Sequence, residues 1–140
     1  MLALTTAIIE TIQNSSLLTG LLGKSCTVYD TAAPETASFP FCLVNRITAA
    51  ETEHYFSSGR IEFPIYQITF VSNSDAQVAQ AEDIIYNVFD MQSLSLDSGY
   101  MPLALAMRVQ QGAESVRDAY GNTVYRSIIR VKCIAQDVVS

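Results

Sequence analysis

At 140 residues the chain is long enough for one core, which at this size buries roughly 68–70% of the unfolded surface without disulfide or metal staples. Hydrophobic residues make up 49% and charged residues only 16%, below the roughly 25% of an average soluble domain, so part of the surface is expected to be buried against another subunit. The net charge of −6, with a pI near 4.5 and a mean hydropathy of +0.23, argues against a nucleic-acid binder that grips phosphates through an overall basic face.

In chain order, Leu2 to Leu22 reads as an apolar helix with a break. Leu4, Ile8 and Ile12 recur at helical spacing, Asn14-Ser15-Ser16 weakens the run, and Gly20 and Gly23 end it. The N-terminal run lacks the basic region of a signal peptide, and no stretch approaches the 18 apolar residues of a membrane span. Thr27–Asp30 is a candidate short strand. Thr31–Ser38 is a polar connector with Pro34, and Phe39–Thr48 alternates as the first clear strand. The polar stretch Ala49–Gly59 reads as a loop or wide hairpin, and Arg60–Ser72 as a long second strand. Ser74–Asp90 carries the clearest helix pattern: Ser74 suits the N-cap, Val78, Ala81, Ile85, Val88 and Phe89 form a stripe, and Gln80, Glu82, Asp83 and Asn87 face away. Met91–Gly99 is a connector, Tyr100–Gln111 a strand, Gly112–Gly121 a polar turn region and Asn122–Gln136 the last strand. This order predicts an α+β fold: a four-stranded, mainly antiparallel sheet with two helices packed on one face. No repeat or boundary is visible, so residues 1–140 read as one domain.

Chemistry-bearing patterns are absent from the sequence. The one histidine, His54, follows Glu51 and Glu53 in the predicted loop, without the fixed spacing of a metal site. No nucleophile elbow, phosphate loop or dinucleotide fingerprint occurs. Cys26, Cys42 and Cys133 are odd in number, lack CxxC spacing and read as reduced core residues. No catalytic residue, metal or cofactor is therefore expected.

Two strand features point to contact surfaces instead. In the second strand Ile61, Phe63 and Ile65 share one face, whereas Tyr66, Ile68 and Phe70 share the other, with Pro64 at the join. Either a bulge at Pro64 keeps all six on one core, or the first half of the strand leaves the core as an arm offering Ile61, Glu62 and Phe63 to a neighbour. In the last strand Arg126, Arg130 and Lys132 alternate onto one face, joined by Arg108 if its strand pairs alongside. These four basic residues suit a solvated face, bidentate pairing with a neighbour's carboxylates or, least, contact with DNA phosphates.

The segment Val116–Ala135, with an Asp118-x-x-Gly121 turn leading into a strand of alternating basic and apolar residues, resembles the C-terminal hairpin of the tail-terminator (tail-completion) proteins of long-tailed bacteriophages. Ala37-Ser-Phe-Pro-Phe-Cys-Leu-Val-Asn-Arg46 resembles their first strand. The N-terminal helix ending at Leu21-Leu-Gly23, the Val28-Tyr-Asp30 segment and the helix Ser74–Asp90 fit their order. The acidic Glu51–His54 loop departs from the more basic or glycine-rich loop usual there.

The resemblance implies a structural virion protein, assembled in the bacterial host cytoplasm, that forms a homo-oligomeric, hexameric ring. Such a ring caps the tail tube protein, ends tube polymerisation and presents a joining surface to the head–neck connector protein, while DNA passes through it without specific binding and no membrane is involved. Six copies would carry −36 formal charges, six times −6, which suits a conduit through which DNA slides. The rival expectations are a head-completion or stopper neck protein, the equivalent cap of a contractile tail, and a non-viral ligand-binding dimeric α+β module, with a small hydrolase behind them.

Overall fold

The computed structural model describes residues 2–34, 37–47, 54–56, 59–62, 65–94, 103–108, 114–117 and 121–138. The first apolar run forms two helices, α1 (Leu2–Gln13) and α2 (Ser16–Leu22), rather than one. Ser15 between them is extended, and its Oγ accepts a hydrogen bond from the Leu18 backbone N–H at 3.4 Å. A serine that caps a new helix competes with continuation of the old one. Gly23 then closes α2 with φ +73°, the left-handed region where a side chain would be strained.

α3 (Asp75–Phe89) starts at the expected serine. Ser74 Oγ accepts from the Gln77 N–H at 3.3 Å, with Asp75 in the first turn where the helix dipole favours it. Val78, Ala81, Ile85 and Phe89 are buried as the periodicity predicts. Glu82 is not outward as expected: it is only 2% exposed. It lies one helical turn from Val78 and two from Phe89, at the margin of the apolar stripe, and both α1 and α2 pack against α3.

Nine strand segments build the sheet: β1 (Thr27–Asp30), β2 (Phe41–Ile47), β3 (His54–Phe56), β4 (Gly59–Glu62), β5 (Ile65–Ser72), β6 (Gln92–Ser93), β7 (Leu103–Arg108), β8 (Glu114–Arg117) and β9 (Thr123–Val138). They occupy five positions across the sheet, β1-β2-β5-β9-β7, one more than predicted. The additional position is β1, which pairs parallel to β2, while the pairs β2–β5, β5–β9 and β7–β9 are antiparallel. β4 and β8 pair with β9 beyond β5 and β7, and β3 and β6 add short pairs to β4 and β7. The stretch expected as a loop or wide hairpin is thus a hairpin at His54–Glu62, with His54 opposite Ile61. The region expected as a turn contains β8.

The register decides between the two readings of the second strand. Glu62 pairs with Ala135 and Ile65 with Lys132, so the pairing advances from 62 to 65 on one strand as it retreats from 135 to 132 on the other. A bulge sets two residues against one, and no such mismatch exists between β4, β5 and β9. The expected bulge at Pro64 is therefore corrected: β4 continues the line of β5 alongside β9, and the change of apolar face is a property of the side chains.

All three helices belong to one core with one face of the sheet. α1 packs over β1 and β2, and α3 over β5, β7 and β9. The sheet residues of that core are Cys42 and Val44, Tyr66, Ile68 and Phe70, and Ile129, Val131 and Cys133, each strand contributing every second residue. Polar groups inside it are bonded. Tyr66 OH accepts from Thr5 Oγ1 at 3.1 Å. Ser72 Oγ donates to Gln77 Oε1 at 2.6 Å and accepts from Ser74 N–H at 3.2 Å, tying the end of β5 to the start of α3. Asp90 closes the other end, where its Oδ1 accepts from the Ala106 N–H of β7 at 3.3 Å.

The cysteines are free and buried, as expected of core residues. The Cys42 thiol hydrogen-bonds Cys26, which lowers the Cys26 pKa and, with burial, raises that of Cys42 well above its ordinary value. Burial alone pushes Cys133 up to about 12.

Candidate assembly interface

The opposite face of the sheet contributes nothing to the core cluster. By register its rows are Phe41, Val71 and Arg126; Leu43, Thr69 and Ile128; Asn45, Gln67, Arg130 and Met107; and Ile47, Ile65 and Lys132. Among the described residues this face mixes half-buried apolar side chains with a basic column. Leu43, Ile47, Ile65, Val71 and Ile128 are half-buried, Arg126 is half-buried, and Arg130 and Lys132 are exposed. Met107 beside Arg130 is 56% exposed. At the β1–β2 edge, Phe41 makes an edge-on contact with Tyr29, centroids 5.8 Å apart, and stacks on Phe39 at 5.6 Å. Phe41 itself is 9% exposed. Aromatic pairs of this kind add to area burial and stiffen the surface they form.

The predicted site residues divide accordingly. Arg126, Arg130 and Lys132 do form one column on β9, with about 13 Å between Arg126 and Arg130 at roughly 3.3 Å per strand residue. Arg108 does not join them. Its register partner is Ile129, a residue of the helix-covered face, because β7 pairs one residue out of phase with the expected stripe. Ile61 and Glu62 lie on β4, opposite Gln136 and Ala135, beyond the end of the basic column. Phe63 lies outside the described residues, as do Glu51 and Glu53.

The sequence reading missed two further components. The apolar half of the face (Phe41, Leu43, Ile47) was visible as an alternation, but its exposure depends on where the helices dock. The charge segregation was readable. α1, α2 and α3 contain Glu10, Asp75, Glu82 and Asp83 and no lysine or arginine, whereas all six arginines lie on strands: Arg46, Arg60, Arg108, Arg117, Arg126 and Arg130. The helix layer is acidic and the sheet basic. On α3, Asp75, Ala76, Ala79, Gln80, Asp83 and Asn87 are exposed. Chemically, the open face suits contact with an acidic, partly apolar protein surface, since arginine pairs bidentately with carboxylates and apolar neighbours exclude water around such pairs.

Neither a protein-family model nor a curated protein sequence matches the chain. Among solved structures, the fold is similar to that of a chain in the virion of a native gene transfer agent (GTA) particle, with a TM-score of 0.70, 14% sequence identity and 96% of each chain covered. At that identity the likeness establishes a shared fold.

Proposed function

We propose that this protein is a structural component of a phage-like virion, a tail terminator that forms a ring on the end of the tail tube, stops its polymerisation and offers the joining surface for the head–neck connector. The observation that carries this reading is the fold-level likeness to a virion chain over nearly the whole length of both. The resemblance of the Val116–Ala135 hairpin and the Phe39-Pro-Phe41 strand start to tail terminators points the same way. In this reading the chain is not an enzyme and needs no metal or cofactor. Its working residues lie on subunit contacts, the Arg126, Arg130 and Lys132 column and the β4 segment with Ile61 and Glu62 among them. A ring requires two different, complementary patches on each subunit, and an open basic face opposite an acidic helix layer meets that requirement. Six subunits with a net charge of −6 each would surround passing DNA with like charge and let it slide.

The test is genetic and visual. Removing the gene from the particle's own genome and imaging the products by electron microscopy should yield overlong tail tubes separated from filled heads. Tails of normal length beside unattached heads would instead indicate a neck stopper. Intact particles would refute a virion role.

A further inference from the structure

The two layers of this fold carry opposite charge, and that limits how the open sheet face can be covered. Packing two open faces against each other about a two-fold axis would bring Arg126, Arg130 and Lys132 against the same residues of the second copy. Like charges so placed oppose association. An acidic surface is needed, and the helix layer, which holds no basic residue in α1, α2 or α3, supplies one on the same chain.

We propose that the open sheet face of one copy docks on the outer face of α3 of the next, with Arg126 and Arg130 meeting Asp75 and Asp83. The spacing agrees. Asp75 and Asp83 are eight helical residues apart, about 12 Å at 1.5 Å per residue, against about 13 Å between Arg126 and Arg130 on β9. Between the two acids, Ala76 and Ala79 are exposed. Their short side chains let a helix approach the sheet closely, so that Met107, Ile128 and Leu43 can meet its surface. Five strand positions about 4.8 Å apart, each with about seven residues of 3.3 Å, make a face of roughly 500 Å² before side-chain relief is counted. That is the scale of one side of a specific interface, about 800 Å² of accessible surface. The contact is heterologous, since sheet meets helix, so each copy keeps one unused patch of each kind and association continues until a ring closes or a filament grows.

This contact rests on the reading of the chain as a self-assembling virion component, and the experiment separates the two. Sedimentation velocity of the whole chain over a wide concentration range at low ionic strength, where screening is weakest, would compare the wild type with Arg130→Asp, Asp83→Arg and the double swap. Each single reversal should weaken association by about tenfold or more, and the double swap should recover most of the loss. The milder Arg130→Gln and Asp83→Asn, which keep side-chain shape, should each give a smaller loss in the same direction. Circular dichroism would verify folding in every variant. Single reversals that associate like the wild type, a double swap no better than either single, or a wild type that stays monomeric throughout would each overturn the contact. None of these results would alter the tail-length outcome of gene removal, which judges the terminator reading separately.

Discussion

The two faces of the sheet are built from the same strands and alternate residue by residue, yet they obey different rules. On the covered face Tyr66, Ile68, Phe70, Ile129 and Val131 are essentially inaccessible, and the few polar groups among them are hydrogen-bonded. On the open face the same strands carry Ile65, Val71, Ile128, Arg126, Arg130 and Lys132, half-buried or exposed and outside the core cluster. The first composition serves folding. A second apolar surface interleaved with arginine adds little to the stability of a single chain, and it acquires a use when another surface covers it.

Breaking the covered face should give the largest effect. Phe70→Ala removes a fully buried ring and should destabilise the chain by about 3–5 kcal/mol, read from urea denaturation of the monomer. An effect below about 1 kcal/mol would mean that the helix layer does not seal this face.

Alkaline pH should sharpen the contrast with a smaller effect. The Cys133 thiol is held at about 12 in the folded chain against an ordinary value of 9.0. Because the folded pKa is the higher one, the stability tied to the neutral thiol is complete below pH 9. It falls by about 1 kcal/mol by pH 10 and continues to fall towards pH 12. Burial raises Tyr66 as well, and Cys42 is raised first by its bond with Cys26 and then by burial, so their contributions have the same sign. Thermal melts from pH 8 to 11 should show the decline, and Cys133→Ala should flatten it.

The open face should respond least in the monomer. Met107→Gln replaces an exposed side chain and should change folding stability by no more than about 0.5 kcal/mol, while weakening association in the same sedimentation assay that tests the charge reversals. A large loss of monomer stability would show that the face is already covered within one chain.

Much of this architecture was legible in the amino-acid order. Ser74 as a cap, the Val78–Phe89 stripe, the odd-numbered core residues of β9 and the reduced cysteines all follow from local rules, because capping and periodicity act over a few neighbouring residues. The places where reading failed share one cause. Ser15 could weaken a helix or start a new one, and the outcome depended on α2 finding α3 to pack against. Glu82 sits at the margin of its stripe, where the position of two other helices decides whether it meets water. The apolar switch at Pro64 fitted both a bulge and a straight strand, and only the pairing with β9 distinguished them.

By itself, then, the sequence determined that alternating strands present two unlike faces, that the chain is acidic, and that its arginines and its helices are kept apart. It could not determine which face the helices cover. A period of two is unchanged when the faces are exchanged, so Phe41, Leu43 and Ile47 were as credible a core as Cys42 and Val44. Tertiary packing made that choice. With α1 over β1 and β2, α3 over β5, β7 and β9, and Arg108 set opposite Ile129 by register, the Arg126, Arg130 and Lys132 column stands with the second apolar surface on the side left open.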